Sequence, residues 1–179
     1  MFLARIRFLI GIAIIILGAL IHSNVGFSSA WYMYLAGIII LATHFLFGNV
    51  MLAFGKLNKG EVDAAEDLIL QIKRPNFLLK THQAYYYFVL GMVALQKKQT
   101  GFGEQHLKQA LIIGLKSDTD NALVAINIAH VHFVKKEYKL ANEYRLKAET
   151  YNSNDLMIKE NLKKIDSSLP SRGASWSKS

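Results

Sequence analysis

YFVLGMVALQKKQTGFGEQHLKQAL, residues 87–111, holds two apolar stripes at helical spacing with a polar break between them. Leu90, Val93 and Ala94 make one stripe; Leu107, Ala110 and Leu111 make the other. The stretch therefore predicts a hairpin of two helices, with GFG at 101–103 as its turn. The same pattern recurs 38 residues to either side. Leu52-Ala53, Leu90-Gly91 and Ile128-Ala129 align, as do Gly60/Lys98/Lys136, Ala65/Gly103/Ala141 and Ile72/Ala110/Ala148. Small residues hold the same places in each copy, where two helices must come close. The predicted pairs are about 48–58 with 61–73, 81–97 with 102–115, and 120–135 with 138–151, followed by a last helix over about 154–167. Proline occurs only at 75 and 170. One such pair cannot bury its apolar face alone, so the copies must stack. The expected class is all-α.

Working outward, composition divides the 179 residues sharply. Before Lys56 the only charges are Arg5 and Arg7. That leaves 19 of the 21 basic residues and all 13 acidic ones from Lys56 onward, a net charge of +6. The bases are interleaved with acids and form no dense run, which argues against a nucleic-acid partner. No cysteine is present, so disulfides and thiolate chemistry are excluded.

Phe8–Ile21, FLIGIAIIILGALI, is almost unbroken apolar; carried back to Phe2 it has the length that spans a bilayer. A basic start and an apolar centre are also features of a signal peptide, but a second apolar run follows too closely. That run, Trp31–Phe47, continues towards Phe54, and Trp31, Tyr32 and Tyr34 stand where an aromatic belt would form. The expected organisation is a transmembrane hairpin over 1–55, with spans at about 2–21 and 31–54. An array over 48–168 shares its first helix with the second span, and a tail over 169–179 has a disordered composition and contains Trp176. Arg5 and Arg7 precede the pair and Lys56 and Lys59 follow it. The positive-inside rule then puts both termini and the array in the cytoplasm. Ala4, Gly11 and Gly18 in one span, and Gly37 and Gly48 in the other, form small-residue stripes for helix packing, on each other or on a larger membrane partner. His44 lies near the middle of the second span, where a helix–helix hydrogen bond is the expected role.

The repeated segments resemble the tetratricopeptide repeats. The middle copy carries Tyr87, Leu90-Gly91, Gly103, Leu107 and Ala110; the third Ile128-Ala129, Tyr138, Ala141, Tyr144 and Ala148; the first Leu52-Ala53, Val62, Ala65, Ile69 and Ile72. The resemblance covers about residues 48–151. The period is 38, longer than the family's usual length, and Arg145 stands where the third copy should hold a large apolar side chain. The resemblance implies a concave trough on the first helix of each pair. Its residues would be Tyr85, Phe88, Met92, Leu95 and Gln96 in copy two, and Leu123, Ile126, Asn127, His130 and Phe133 in copy three. Apolar and aromatic, it suits an amphipathic or apolar peptide. Family members that clamp a carboxylate use lysines that are missing at the matching places here. The last helix, with Leu156, Met157, Leu162 and Ile165, competes as the trough's own cap, and packing against the membrane surface is a third possibility.

No phosphate loop, HExxH or nucleophile elbow is present, and no metal or cofactor is expected. His130 and His132 point about 200° apart on a helix and cannot share a metal. Asp63, Glu66 and Asp67 fit a helix N-terminus, and Lys135-Lys136-Glu137 reads as a solvated face. The expectation is a non-catalytic scaffold or adaptor, an accessory subunit of a bacterial inner-membrane assembly or secretion complex. The competing readings are a small membrane enzyme or transporter accessory using His44, and a ribosome or nucleic-acid contact through the basic domain.

Overall fold

The structure is a computed structural model that describes residues 2–47 and 49–169. Gly48 and Trp176 lie outside the described residues, as do the side chains of Ala4 and His44. The protein is all-α: the described residues form α1 (Phe2–Val25), α2 (Trp31–Phe47), α3 (Val50–Asn58), α4 (Val62–Leu70), α5 (Lys80–Gln96), α6 (Thr100–Ile113), α7 (Asp118–Val134), α8 (Tyr138–Thr150) and α9 (Leu156–Ser168), with no strand among them. Short 3-10 turns occupy Phe27–Ser29 and Pro75–Phe77.

α1 and α2 pack side by side, and glycines make the contact. A Cβ on Gly37 would stand 2.4 Å from Ile15 Cγ1 and 3.0 Å from the Gly11 carbonyl oxygen. One on Gly18 would stand 3.0 Å from Met33 Cβ. Only hydrogen fits where two backbones approach this closely. The pair is built inside-out relative to a water-soluble hairpin: Gly11, Gly18 and Gly37 are buried, while Ile16, Leu20 and Ile38 are more than half exposed. Phe8–Val25, mean hydropathy 2.3, is long and apolar enough to cross a membrane; the apolar part of α2, Trp31–Thr43, is shorter.

The first helix of the array is not an extension of α2. α2 ends at Phe47, Asn49 sits in a turn, and α3 begins at Val50. Asn49 is buried, and its side-chain amide donates to Gln71 Oε1 at 3.2 Å. Its carbonyl accepts from Ala53 N at 2.9 Å, which starts α3.

From α3 onward the helices pair in chain order, α3 with α4, α5 with α6 and α7 with α8, and each pair packs on the next; α9 closes against α7 and α8. One apolar core runs from Val50 to Ile165, and among the described side chains it takes none from α1 or α2. The small residues do what their spacing predicts. Ala53 and Ala65, and Ala129 and Ala141, are fully buried. At Gly91 and Gly103 an added Cβ would stand 3.0 Å from the other residue's carbonyl oxygen. Gly101-Phe102-Gly103 lies inside α6, not in the hairpin turn. Gly103 is a packing residue, and the turn lies four to six residues earlier.

That turn is repeated with its hydrogen bonds. Gly60, Lys98 and Lys136 have φ of 77°, 61° and 63°. Glu61 N donates to Lys56 O, Gln99 N to Ala94 O and Glu137 N to His132 O, at 3.0, 2.9 and 2.9 Å. This is the left-handed helix stop that satisfies otherwise orphaned carbonyls. A second periodic contact joins successive pairs. Glu66 of α4 pairs with Lys97, and 38 residues on Glu104 of α6 pairs with Lys135 at 2.5 Å. Glu66, expected at a helix start, lies beyond the first turn of α4, where Asp63 is the acidic residue, and ties two repeats together; Lys135 and Glu137 are partnered, not merely solvated.

Candidate functional site

α7 and α9 enclose a groove of about 500 Å³, lined by Leu123, Ile126, Asn127, His130 and Phe133 from α7 and by Asn161, Lys164, Ile165 and Ser168 from α9. Ser117 caps α7 by accepting from Asp120 N, and Asp155 caps α9 by accepting from Met157 N at 2.8 Å. Each cap starts a helix that lies against its neighbour along one side: Val124, Ile128 and Val131 of α7 are buried, as are Ile158 and Ile165 of α9. The groove runs between the upper edges of these two faces. It contains no carboxylate; its charged or chargeable groups are Lys164 and the exposed His130. Asn127 already donates to the Leu123 carbonyl at 2.8 Å.

The ten predicted trough residues separate into two groups. All five from copy three line the groove. From copy two, Tyr85 and Phe88 are buried instead, and Phe54 of α3 covers both, with ring centroids 5.1 and 5.7 Å away. Tyr85 also donates to Asp120 Oδ2 at 2.5 Å, tying α5 to α7; burial and this acceptor push its phenol pKa up. Met92 and Leu95 are half-buried and Gln96 is exposed. In α9, Leu156 and Met157 are exposed and Leu162 is half-buried; Ile158 and Ile165 carry the packing. α9 thus forms one wall of the groove. Asn161, Lys164 and Ser168 were not foreseen. Their signal is the spacing of 161, 164, 165 and 168, one face of a helix.

The histidines divide as well. Burial lowers the pKa of His82 and His106. His132, 2% exposed, stacks on Tyr144 and donates from Nδ1 to Glu137 at 2.5 Å. Its Nε2 stands 3.4 Å from Glu104 Oε1. Glu104 also accepts from Lys108 and Lys135 at 2.5 Å each. Burial opposes its ionisation, but the two ammonium groups prevail and hold its pKa at about 2. Lys135 and Glu137, expected on a solvated face, join His132, Glu104 and Lys108 in one network across α6, α7 and α8. Arg145, 7% exposed, reaches Asn142, Glu149 and Asp166, so the charge in the apolar position is matched by acceptors on α8 and α9. Among the described residues no group of three or more His, Asp or Glu is placed to hold a metal ion.

No family model matches this chain, and no curated protein or solved structure matches it significantly.

Proposed function

We propose that this protein is a membrane-anchored scaffold. In this reading α1 and α2 form a transmembrane hairpin, and α3–α9 form a tetratricopeptide-like array on the cytoplasmic side. The α7–α9 groove holds a segment of another subunit in a membrane complex, with an assembly or secretion complex of a bacterial inner membrane as the setting. The role is non-catalytic. The observation that carries it is the groove: an open, largely apolar trough with Lys164 at its edge and no carboxylate in its lining. Such a surface suits an amphipathic segment whose polar side carries an acidic residue. The inside-out packing of α1 and α2 supports the anchor, because buried glycine and exposed isoleucine suit lipid and not water.

The test is affinity purification of the full-length chain from mild detergent, compared with Phe133→Asp and, separately, Lys164→Glu. Both variants should lose the same co-purifying subunit while keeping the helical content of the parent. Lys164 is exposed, so its variant should fold whatever happens to Phe133. An unchanged set of partners in both variants would sink the groove as the binding surface.

A further inference from the structure

The connector between α4 and α5 reads QIKRPNFLLK over residues 71–80. Leu78 turns into the core and is 6% exposed, and the 3-10 turn beneath it is closed by Leu78 N donating to Pro75 O at 3.0 Å. Pinning Leu78 inward turns its neighbours outward: Phe77 is 60% and Leu79 43% exposed, and Leu70, the last residue of α4, is 53% exposed. Lys73, Arg74 and Lys80 are exposed and interleave with these apolar residues along the connector. None of the three makes an ion pair among the described residues, and Arg74 lies over the Phe77 ring, 5.8 Å from its centroid. The sequence around them is free of acid. Between Asp67 and Glu104 there is no Asp or Glu. The connector is also tied to the end of the hairpin. Gln71 accepts from Asn49, two residues past the end of α2, and Arg74 is three residues from Gln71, within about 11 Å by chain length.

We propose that residues 70–80 form a second membrane contact, in which Phe77, Leu79 and Leu70 enter the headgroup region of an anionic bilayer while Lys73, Arg74 and Lys80 face its lipid phosphates. This rests on the reading of α1 and α2 as a membrane hairpin. Aromatic and leucine side chains interleaved with cations complement an interface that is apolar below and negatively charged above. A protein partner would need acidic residues to meet the same patch. A bilayer surface is already at hand where α2 ends. The contact would fix the tilt of the array, which the turn at Asn49 alone does not.

The natural chain has no cysteine, so single cysteines can be introduced and labelled cleanly. Full-length protein carrying Phe77→Cys, Leu17→Cys or Ile112→Cys is labelled with a polarity-sensitive fluorophore. Each is placed in nanodiscs of phosphatidylcholine alone, or of phosphatidylcholine with phosphatidylglycerol, and exposed to lipid-borne and aqueous quenchers. Leu17 reports on the hairpin, and Ile112, 77% exposed on α6, is the control away from the connector. The expected result at 77 is a blue shift and lipid quenching in the anionic discs, lost when Lys73, Arg74 and Lys80 are all changed to Glu, with Ile112 remaining in water. A label at 77 that stays in water while that at 17 is in lipid overturns this contact and leaves the hairpin standing. Labels in water at both sites overturn both. Equal lipid quenching at 77 in neutral and anionic discs overturns the assignment to an anionic surface.

Discussion

At the residue scale, Lys98 and Lys136 occupy left-handed backbone that Gly60 occupies without a Cβ. A lysine there is strained where glycine is not. Lys98→Gly should raise unfolding free energy by about 1 kcal/mol in denaturant titration; a loss of stability would show that the Lys98 side chain contributes more than its backbone costs. Glu104 carries a pH dependence whose direction follows from its ion pairs. Its folded pKa of about 2 lies below its unfolded value, so its contribution is fully present above about pH 4.5 and is lost as pH falls through about 2. Burial lowers the pKa of His82 and His106, whose contributions disappear as pH falls below about 6.5. Glu104→Gln should flatten the stability curve between about pH 4.5 and 2 and leave the slope nearer pH 6 intact. Titration of urea midpoints against pH separates the two.

At the element scale, two glycines two residues apart in α6 should respond oppositely. A Cβ on Gly101 meets nothing within 4 Å, whereas one on Gly103 would stand 2.6 Å from Leu95 Cδ2 and 3.0 Å from the Gly91 carbonyl oxygen. Gly101→Ala should stabilise by about 0.5 kcal/mol, and Gly103→Ala should destabilise by about 1–3 kcal/mol through overpacking of the α5–α6 crossing. Thermal melts of the two variants that moved in the same direction would refute the crossing. At position 145 the third repeat holds Arg where Leu107 and Ile69 are fully buried in the others. Glu149 and Asp166 are exposed and remain solvated without it, but the buried Asn142 loses its hydrogen-bond donor. Arg145→Leu should therefore be neutral to about 1 kcal/mol destabilising, and Arg145→Ala destabilising by about 2 kcal/mol, in denaturant titration.

At the scale of the whole molecule, the core of described side chains begins at Val50 and takes none from α1 or α2. Residues 49–169 should fold without the hairpin and unfold in one cooperative transition by circular dichroism. A non-cooperative melt would mean that the hairpin completes the array. The helix pairs were legible in the sequence because each stripe recurs at 3.6 residues and each crossing demands a small residue, at 53 and 65, 91 and 103, and 129 and 141. Half of the candidate groove was legible for the same reason, since Leu123, Ile126, His130 and Phe133 share one face of α7.

By itself the sequence determined an all-helical chain, its repeat of 38, the places of its close crossings and the separation of an apolar start from a charged remainder. These follow from local periodicity and from the size of single side chains, which a linear text records. Only the tertiary structure decided that Tyr85 and Phe88 are covered by Phe54, that α9 lines the groove, and that His132 and Glu104 share a network. It also placed Asn49 in a turn ahead of α3. Those outcomes depend on which faces meet across 28 to 38 residues of chain, and burial at such a distance is set by the stacking of pairs, which no single helix carries.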